Sequence, residues 1–173
     1  DEHVICRTER HRAAPDDAAA LALDDATHVF EIEGDGPIKA VHTQGDSEGR
    51  VRGYVGNPHV ELPANARGKL DVAGAVGRGT LYVIRDLGLR EPYRGFVPLV
   101  SGEIGEDFAH YFLRSEQTPS VVAVGVLVNP DGRVRAAGGL LLQVMPGASD
   151  DIVAVLEDQA RRLPAVSAAI DGG

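Results

Sequence analysis

Val121–Gly147 reads VVAVGVLVNPDGRVRAAGGLLLQVMPG, and the fold of this chain turns on how that stretch is read. Val121–Val128 is an unbroken run of small apolar residues. Asn129-Pro130-Asp131-Gly132 follows, in which Pro presets φ and Gly accepts a positive φ, so a turn is expected. Arg133–Val144 returns as a second run, and the pair predicts a β-hairpin. Val121–Val128 does not alternate apolar with polar residues. That predicts a strand buried on both faces, lying mid-sheet at the centre of one core. Gly125, Gly138 and Gly139 fall inside these strands, where they would permit bulges or close helix packing.

Upstream, three short strands form a predicted antiparallel meander. His28–Glu33 alternates with Phe30 and Ile32 inward, and Gly34–Pro37 turns into Ile38–Thr43. Asp46–Gly49 turns again into Arg50–Val55. Gly56–Leu70 reads as extended loop, and the glycines of Asp71–Gly79 leave the backbone permissive. Thr80–Asp86 and Tyr93–Val100 read as further strands. Ser101 is the expected cap of a helix reaching Glu116, with Ile104, Phe108, Tyr111 and Phe112 on one stripe. After the hairpin, Ser149 or Asp150 caps a last helix whose buried side is Ile152, Val153, Val155, Leu156 and Leu163. The expected fold is α+β. A twisted, mainly antiparallel sheet, with hairpin 121–144 central, is covered by helices at about 102–116 and 150–163, in a single domain spanning 1–173.

The totals narrow the function classes. Length, 43% hydrophobic and 25% charged residues suit one globular domain. No apolar run is long enough to span a bilayer, and no secretory signal opens the chain, so no membrane partner is expected. Asp and Glu outnumber Lys and Arg by 26 to 17, a charge of −9 that disfavours a nucleic-acid partner. Cys6 is the one cysteine; it can form neither an internal disulfide nor a cysteine-rich zinc site, and a reducing cytoplasm is the expected location. The six histidines show no helical metal-pair spacing, so no metal site is expected. Glu103, Glu106 and Asp107 suit a helix start, where carboxylates meet the positive end of the dipole. Gly74–Gly79 precedes a strand, whereas phosphate-cradling loops follow one and open a helix. There is no GxSxG or HExxH motif, and no catalytic residue is assigned.

Several motifs carry a resemblance. Arg52–Val60 (RGYVGNPHV), Gly68–Gly77 (GKLDVAGAVG), Gly79–Asp86 (GTLYVIRD), Pro98–Ile104 (PLVSGEI), Ser115–Ser120 (SEQTPS) and Gly138–Gly147 (GGLLLQVMPG) stand in order and spacing. Over about Thr27–Ile170 the chain closely resembles the redox-regulated 33-kilodalton heat-shock chaperone family. The resemblance implies a non-enzymatic cytoplasmic holdase that binds unfolding proteins under oxidative or heat stress. It implies the N-terminal client-binding domain, a homodimer that can exchange elements, and no cofactor in this chain. The family's zinc belongs to a C-terminal module, a C-x-C pair followed by C-x-x-C, that residues 1–173 lack. Oxidation there releases the metal, so binding by these residues alone is expected to be constitutive. The family's helical region before His28 is longer, which implies residues omitted near Thr8/Glu9 and Leu21–Leu23.

A holdase needs available apolar surface and charge that keeps its complexes in solution. Phe108, Phe112, Ile152, Val153, Leu156 and Leu163 are the expected client-binding residues. Two other readings are an enzyme with a pocket near His59 or Arg78, and a purely structural dimerisation module.

Overall fold

A computed structural model describes residues 27–46, 48–86, 88–144, 147–163 and 166. The expected omissions near Thr8/Glu9 and Leu21–Leu23, and Cys6, lie outside the described residues. Cα packing divides the chain into two compact units, which meet in sequence between Gly102 and Glu103.

The first unit is built on a five-stranded antiparallel sheet. Its strands are β1 (Thr27–Gly34), β2 (Ala40–Gly45), β3 (Val51–Val55), β4 (Gly79–Asp86) and β5 (Tyr93–Pro98). The spatial order is β3-β2-β1-β4-β5, so the meander forms as expected and β4 docks on the open side of β1. In register, Ile32 faces Leu81, which faces Val97, and Phe30 faces Val83. Ile32, Leu81, Val83 and Val97 are all buried, Leu81 completely. Burial of such a side chain contributes about 1.5–3 kcal/mol, which makes this row the centre of the unit.

Asp71–Gly79 holds a helix that composition hides: α1 (Val72–Val76). The Asp71 carboxylate accepts from the Gly74 N–H at 3.0 Å, and Gly77, at φ +73°, ends the helix. Its last carbonyls are satisfied by the β1–β2 turn. Gly36 N–H donates to Val76 C=O at 3.0 Å and Ile38 N–H to Ala75 C=O at 3.1 Å. Val76 is buried. Capping and one anchored side chain thus outweigh the low helix propensity of glycine.

The second unit contains α2 (Ile104–Ser115), the hairpin β6 (Ser120–Val128) and β7 (Val134–Gln143), and α3 (Asp150–Arg162). The α+β class and the antiparallel pairing are as expected. Asn129 N–H donates to Arg133 C=O at 2.8 Å, and Gly132 takes φ +81°, as the turn signal predicts. The placement of the hairpin differs from expectation. Among the described residues β6 and β7 pair only with each other, in a separate two-stranded sheet. Nor is β6 buried on both faces: Val124, Val126 and Val128 are exposed, while Val121, Ala123, Gly125 and Leu127 are half-buried. An apolar run records that water is disfavoured at each residue, but burial needs a layer on each face, and the sequence cannot supply that count.

Two further details differ. Helix α2 starts at Ile104, with Glu103 rather than Ser101 in the capping position, because Gly102 takes φ +76° and breaks the helical run. The hairpin bulge lies at Leu127/Val128 and not at a glycine. Close approach falls instead at Gly105 of α2, where a Cβ would stand 2.9 Å from the Val122 carbonyl oxygen. Helix α3 begins as expected, with Val153 N–H donating to Ser149 C=O at 3.1 Å.

Candidate functional site

The structure presents apolar surface in three places. The hairpin holds the first. Cross-strand pairs share a face, so Val124, Val126 and Val128 lie with Gly139, Ala137 and Val134. Val124 is 53% exposed, Val126 41%, Val128 42% and Val134 56%. No side chain of this face between Val122 and Val128 is polar. Sequence reasoning missed these residues because it took the run for a core strand. Their exposure leaves no mark in composition.

The second surface is the outer face of the five-stranded sheet. Tyr54, His42, Glu31, Tyr82 and Phe96 stand in register, one from each strand. His42 and Tyr54 stack with centroids 4.8 Å apart, and Tyr82 and Phe96 tilt together at 6.2 Å. Tyr54 and Phe96 are largely exposed. The adjacent row places Arg52 beside Gln44, whose Oε1 accepts from Arg52 Nε at 2.9 Å. The β2–β3 register follows from the Asp46–Gly49 turn, so the His42–Tyr54 pair was within reach of sequence analysis. The Tyr82 and Phe96 half was not, because it depends on the non-local docking of β4. At that turn, the side-chain hydrogen bond from Arg50 holds the Asp46 carboxyl below its ordinary value.

The third comprises the helices named from sequence. On α2, Phe108 and Phe112 are half-buried, with ring centroids 6.4 Å apart. Tyr111 is the fully buried anchor of that stripe, and its hydroxyl donates to Glu116 Oε1 at 3.1 Å. On α3, Val153 is half-buried, whereas Val155, and Leu163 just past the helix, are exposed rather than part of a buried side. The backbone of Ile152 and Leu156 lies on α3, and their side chains fall outside the described residues. The polar side of α3 carries i,i+4 ion pairs, Arg161–Glu157 at 3.9 Å and Arg162–Asp158 at 2.9 Å. Glu106 and Asp107 fall in the first turn of α2, as their sequence position suggests.

The residues considered for an enzyme, His59 and Arg78, do not line one common concavity among the described residues. An open concavity of about 470 Å³ is lined by Asp35, Arg78, Ser101 and apolar or small residues including Leu99 and Val100, and His59 is not among its walls. Arg78 faces solvent and pairs with Asp35, Nε to Oδ2 at 3.6 Å. The His59 N–H is held in a local turn by Asn57 Oδ1 at 3.1 Å. Among the described residues no group of three or more His, Cys, Asp or Glu could hold a metal ion. No helix of the described residues is long and apolar enough to cross a membrane.

Comparison with known proteins gives one answer. The 33 kDa chaperonin of Halalkalibacterium halodurans is 53% identical over 156 residues, covering 90% of this chain and 54% of that protein. The 33 kDa chaperonin of Desulforamulus reducens is 53% identical over 147 residues, covering 85% and 50%. The crystal structure of the 33 kDa chaperonin (heat shock protein 33 homolog) from Thermotoga maritima superposes with a TM-score of 0.80 at 46% identity, covering 87% of this chain and 52% of that one. The chain therefore spans about half the length of the curated relatives it matches. The model of the Hsp33 protein family matches residues 18–171. With nearly the whole chain matched in sequence and the α+β fold shared, this chain belongs to the Hsp33 protein family.

Proposed function

We propose that this chain is the client-holding part of a molecular chaperone that binds unfolding proteins under heat or oxidative stress and prevents their aggregation. The observation that carries this reading is the exposed apolar hairpin face of Val124, Val126, Val128 and Val134, in a family whose members are named chaperonins. A contiguous exposed apolar surface rimmed by polar groups is an interaction site. The net charge of −9 keeps a complex with a sticky client dispersed. Phe108, Phe112, Val153 and Leu163 extend the contact set along the helices, with Ile152 and Leu156 on the same sequence stripe.

The protein acts by holding rather than by catalysis, in the reducing cytoplasm, as a homodimer that can exchange elements. Residues 1–173 serve as one functional domain, and zinc and redox control belong to residues other than those described. Binding by this chain alone is then constitutive. The test is light scattering of a thermally unfolding client mixed with the reduced, metal-free chain. The expected result is suppressed aggregation, lost in the Val124→Thr/Val126→Thr/Val128→Thr variant, whose side chains keep their β-branched shape and lose apolar surface. Equal aggregation with and without the folded native chain would overturn the reading.

A further inference from the structure

The backbone of the hairpin carries more information than its face. Val144 N–H donates to Pro119 C=O at 3.1 Å, which makes these two residues a hydrogen-bonded pair. In an antiparallel ladder such pairs alternate with non-bonded ones. Val121, Ala123 and Gly125 therefore aim their N–H and C=O groups at Leu142, Leu140 and Gly138. Their neighbours aim outward: Val122, Val124 and Val126 on β6, and Ala137, Gly139 and Leu141 on β7. Each strand thus has a free edge with a row of donors and acceptors, since among the described residues β6 and β7 pair only with each other.

The two edges are not equivalent. Helix α2 reaches the β6 edge at the outward Val122 carbonyl, where Gly105 makes its close approach. The β7 edge, Ala136–Gln143, reads AAGGLLLQ. Past Arg135, which lies by the turn, it has no charge and no Pro, the devices that keep edges from pairing with other chains. Gly139 sits on this edge and on the exposed face, beside Val124 across the ladder. A strand added there would place every second side chain over the same apolar face. A glycine in an edge strand is best covered by an aromatic cross-strand neighbour.

We infer that the β7 edge receives an extended segment of an unfolded client as an added β-strand, with an aromatic or large aliphatic side chain over Gly139. This rests on the holdase reading and adds the binding mode. The partner is a neutral or basic polypeptide without fixed structure. The chain's −9 charge favours such a segment over an acidic one at this edge. Main-chain hydrogen bonds give such a mode affinity with little dependence on sequence, which suits a binder of many clients.

The test uses a fluorescent, unstructured peptide of roughly ten residues, alternating Phe or Val with Ser or Lys, and its singly N-methylated versions. Binding to the intact chain is followed by anisotropy. N-methylation at alternate residues is expected to weaken binding roughly tenfold, and at the intervening residues little, because only every second amide faces β7. Ala137→Pro removes an outward N–H that no intramolecular ladder bond uses, and Gly139→Lys adds an edge charge. A Cβ at Gly139 stands 3.4 Å from its nearest neighbour, so that side chain is accommodated. Both variants are expected to bind the peptide roughly tenfold more weakly while folding normally. Suppressed aggregation with no alternation, and with both variants binding as the native chain does, would overturn strand addition and leave the holdase reading standing. A change of oligomeric state in Ala137→Pro with unchanged peptide affinity would assign the edge to a second copy and overturn the proposal. Failure of the native chain to bind peptide or to suppress aggregation would overturn both.

Discussion

The five-stranded sheet and the two-stranded hairpin are made from similar residues and reach opposite ends. β4 carries Leu81 and Val83 in a strand that also holds Thr80, Arg85 and Asp86, and both are buried. β6 is almost entirely apolar, yet none of its residues is buried and three of its valines are exposed. Position within a layered packing, and not apolar content, sets how much a residue stabilises the fold. Apolar surface that is rich in sequence and poor in burial is the more direct pointer to an interaction.

The sharpest way to break this comparison is a matched pair of truncations. Leu81→Ala opens a cavity in the buried row and is expected to cost about 2–5 kcal/mol. Val126→Ala, 41% exposed, is expected to cost under about 1 kcal/mol. Urea unfolding of the two variants measures both. Equal losses would mean that the hairpin is a core element after all. Next in size is Gly105→Val, which drives a side chain into the Val122 carbonyl and is expected to cost about 1–3 kcal/mol. Amide exchange should show the loss concentrated in α2 and β6, where the helix packs, and not in β1 or β4. Exchange faster in β1 would contradict that confinement.

The smallest effect concerns the β2–β3 turn. The Arg50 side chain donates to the Asp46 carboxylate, Nε to Oδ2 at 2.7 Å, and holds its pKa below the ordinary 3.8. Because the folded pKa is the lower one, this contribution is present above the unfolded value and is lost as pH falls through the folded one. Arg50 lies largely in solvent and Asp46 is partly exposed, so solvent keeps the pair weak and Asp46→Asn should lower the melting temperature at neutral pH only slightly. Carboxyl titration by NMR should place Asp46 below the ordinary carboxylate value in the native chain, and Arg50→Ala should return it upward.

Much of the fold was legible in the residues. Alternation in His28–Glu33 and the turns at Asp46–Gly49 and Asn129–Gly132 gave strands and pairings, because those contacts are local and the turn chemistry is specific. The stripe Ile104, Phe108, Tyr111 and Phe112 gave α2, with Tyr111 as its buried anchor. Helix α1 escaped notice although its Asp71 cap and Gly77 stop are both present, since three glycines in that stretch lower the expectation of any helix. The candidate surface was half-legible. Phe108, Phe112 and Val153 stand half-buried on their helices, while the exposed valines and the Tyr54–Phe96 row were missed.

By itself the sequence determined what depends on near neighbours: the turns, the strands, the two longer helices, the hairpin pairing and the family likeness. These follow from steric limits on φ and ψ, from side-chain period and from short-range hydrogen bonds. Tertiary structure alone decided that β4 joins β1, that among the described residues β6 and β7 pair only with each other, and that α2 approaches β6 at the Val122 carbonyl. Those outcomes rest on contacts between residues far apart in the chain. There, loop closure and layer geometry choose among many apolar surfaces that a sequence presents as equivalent.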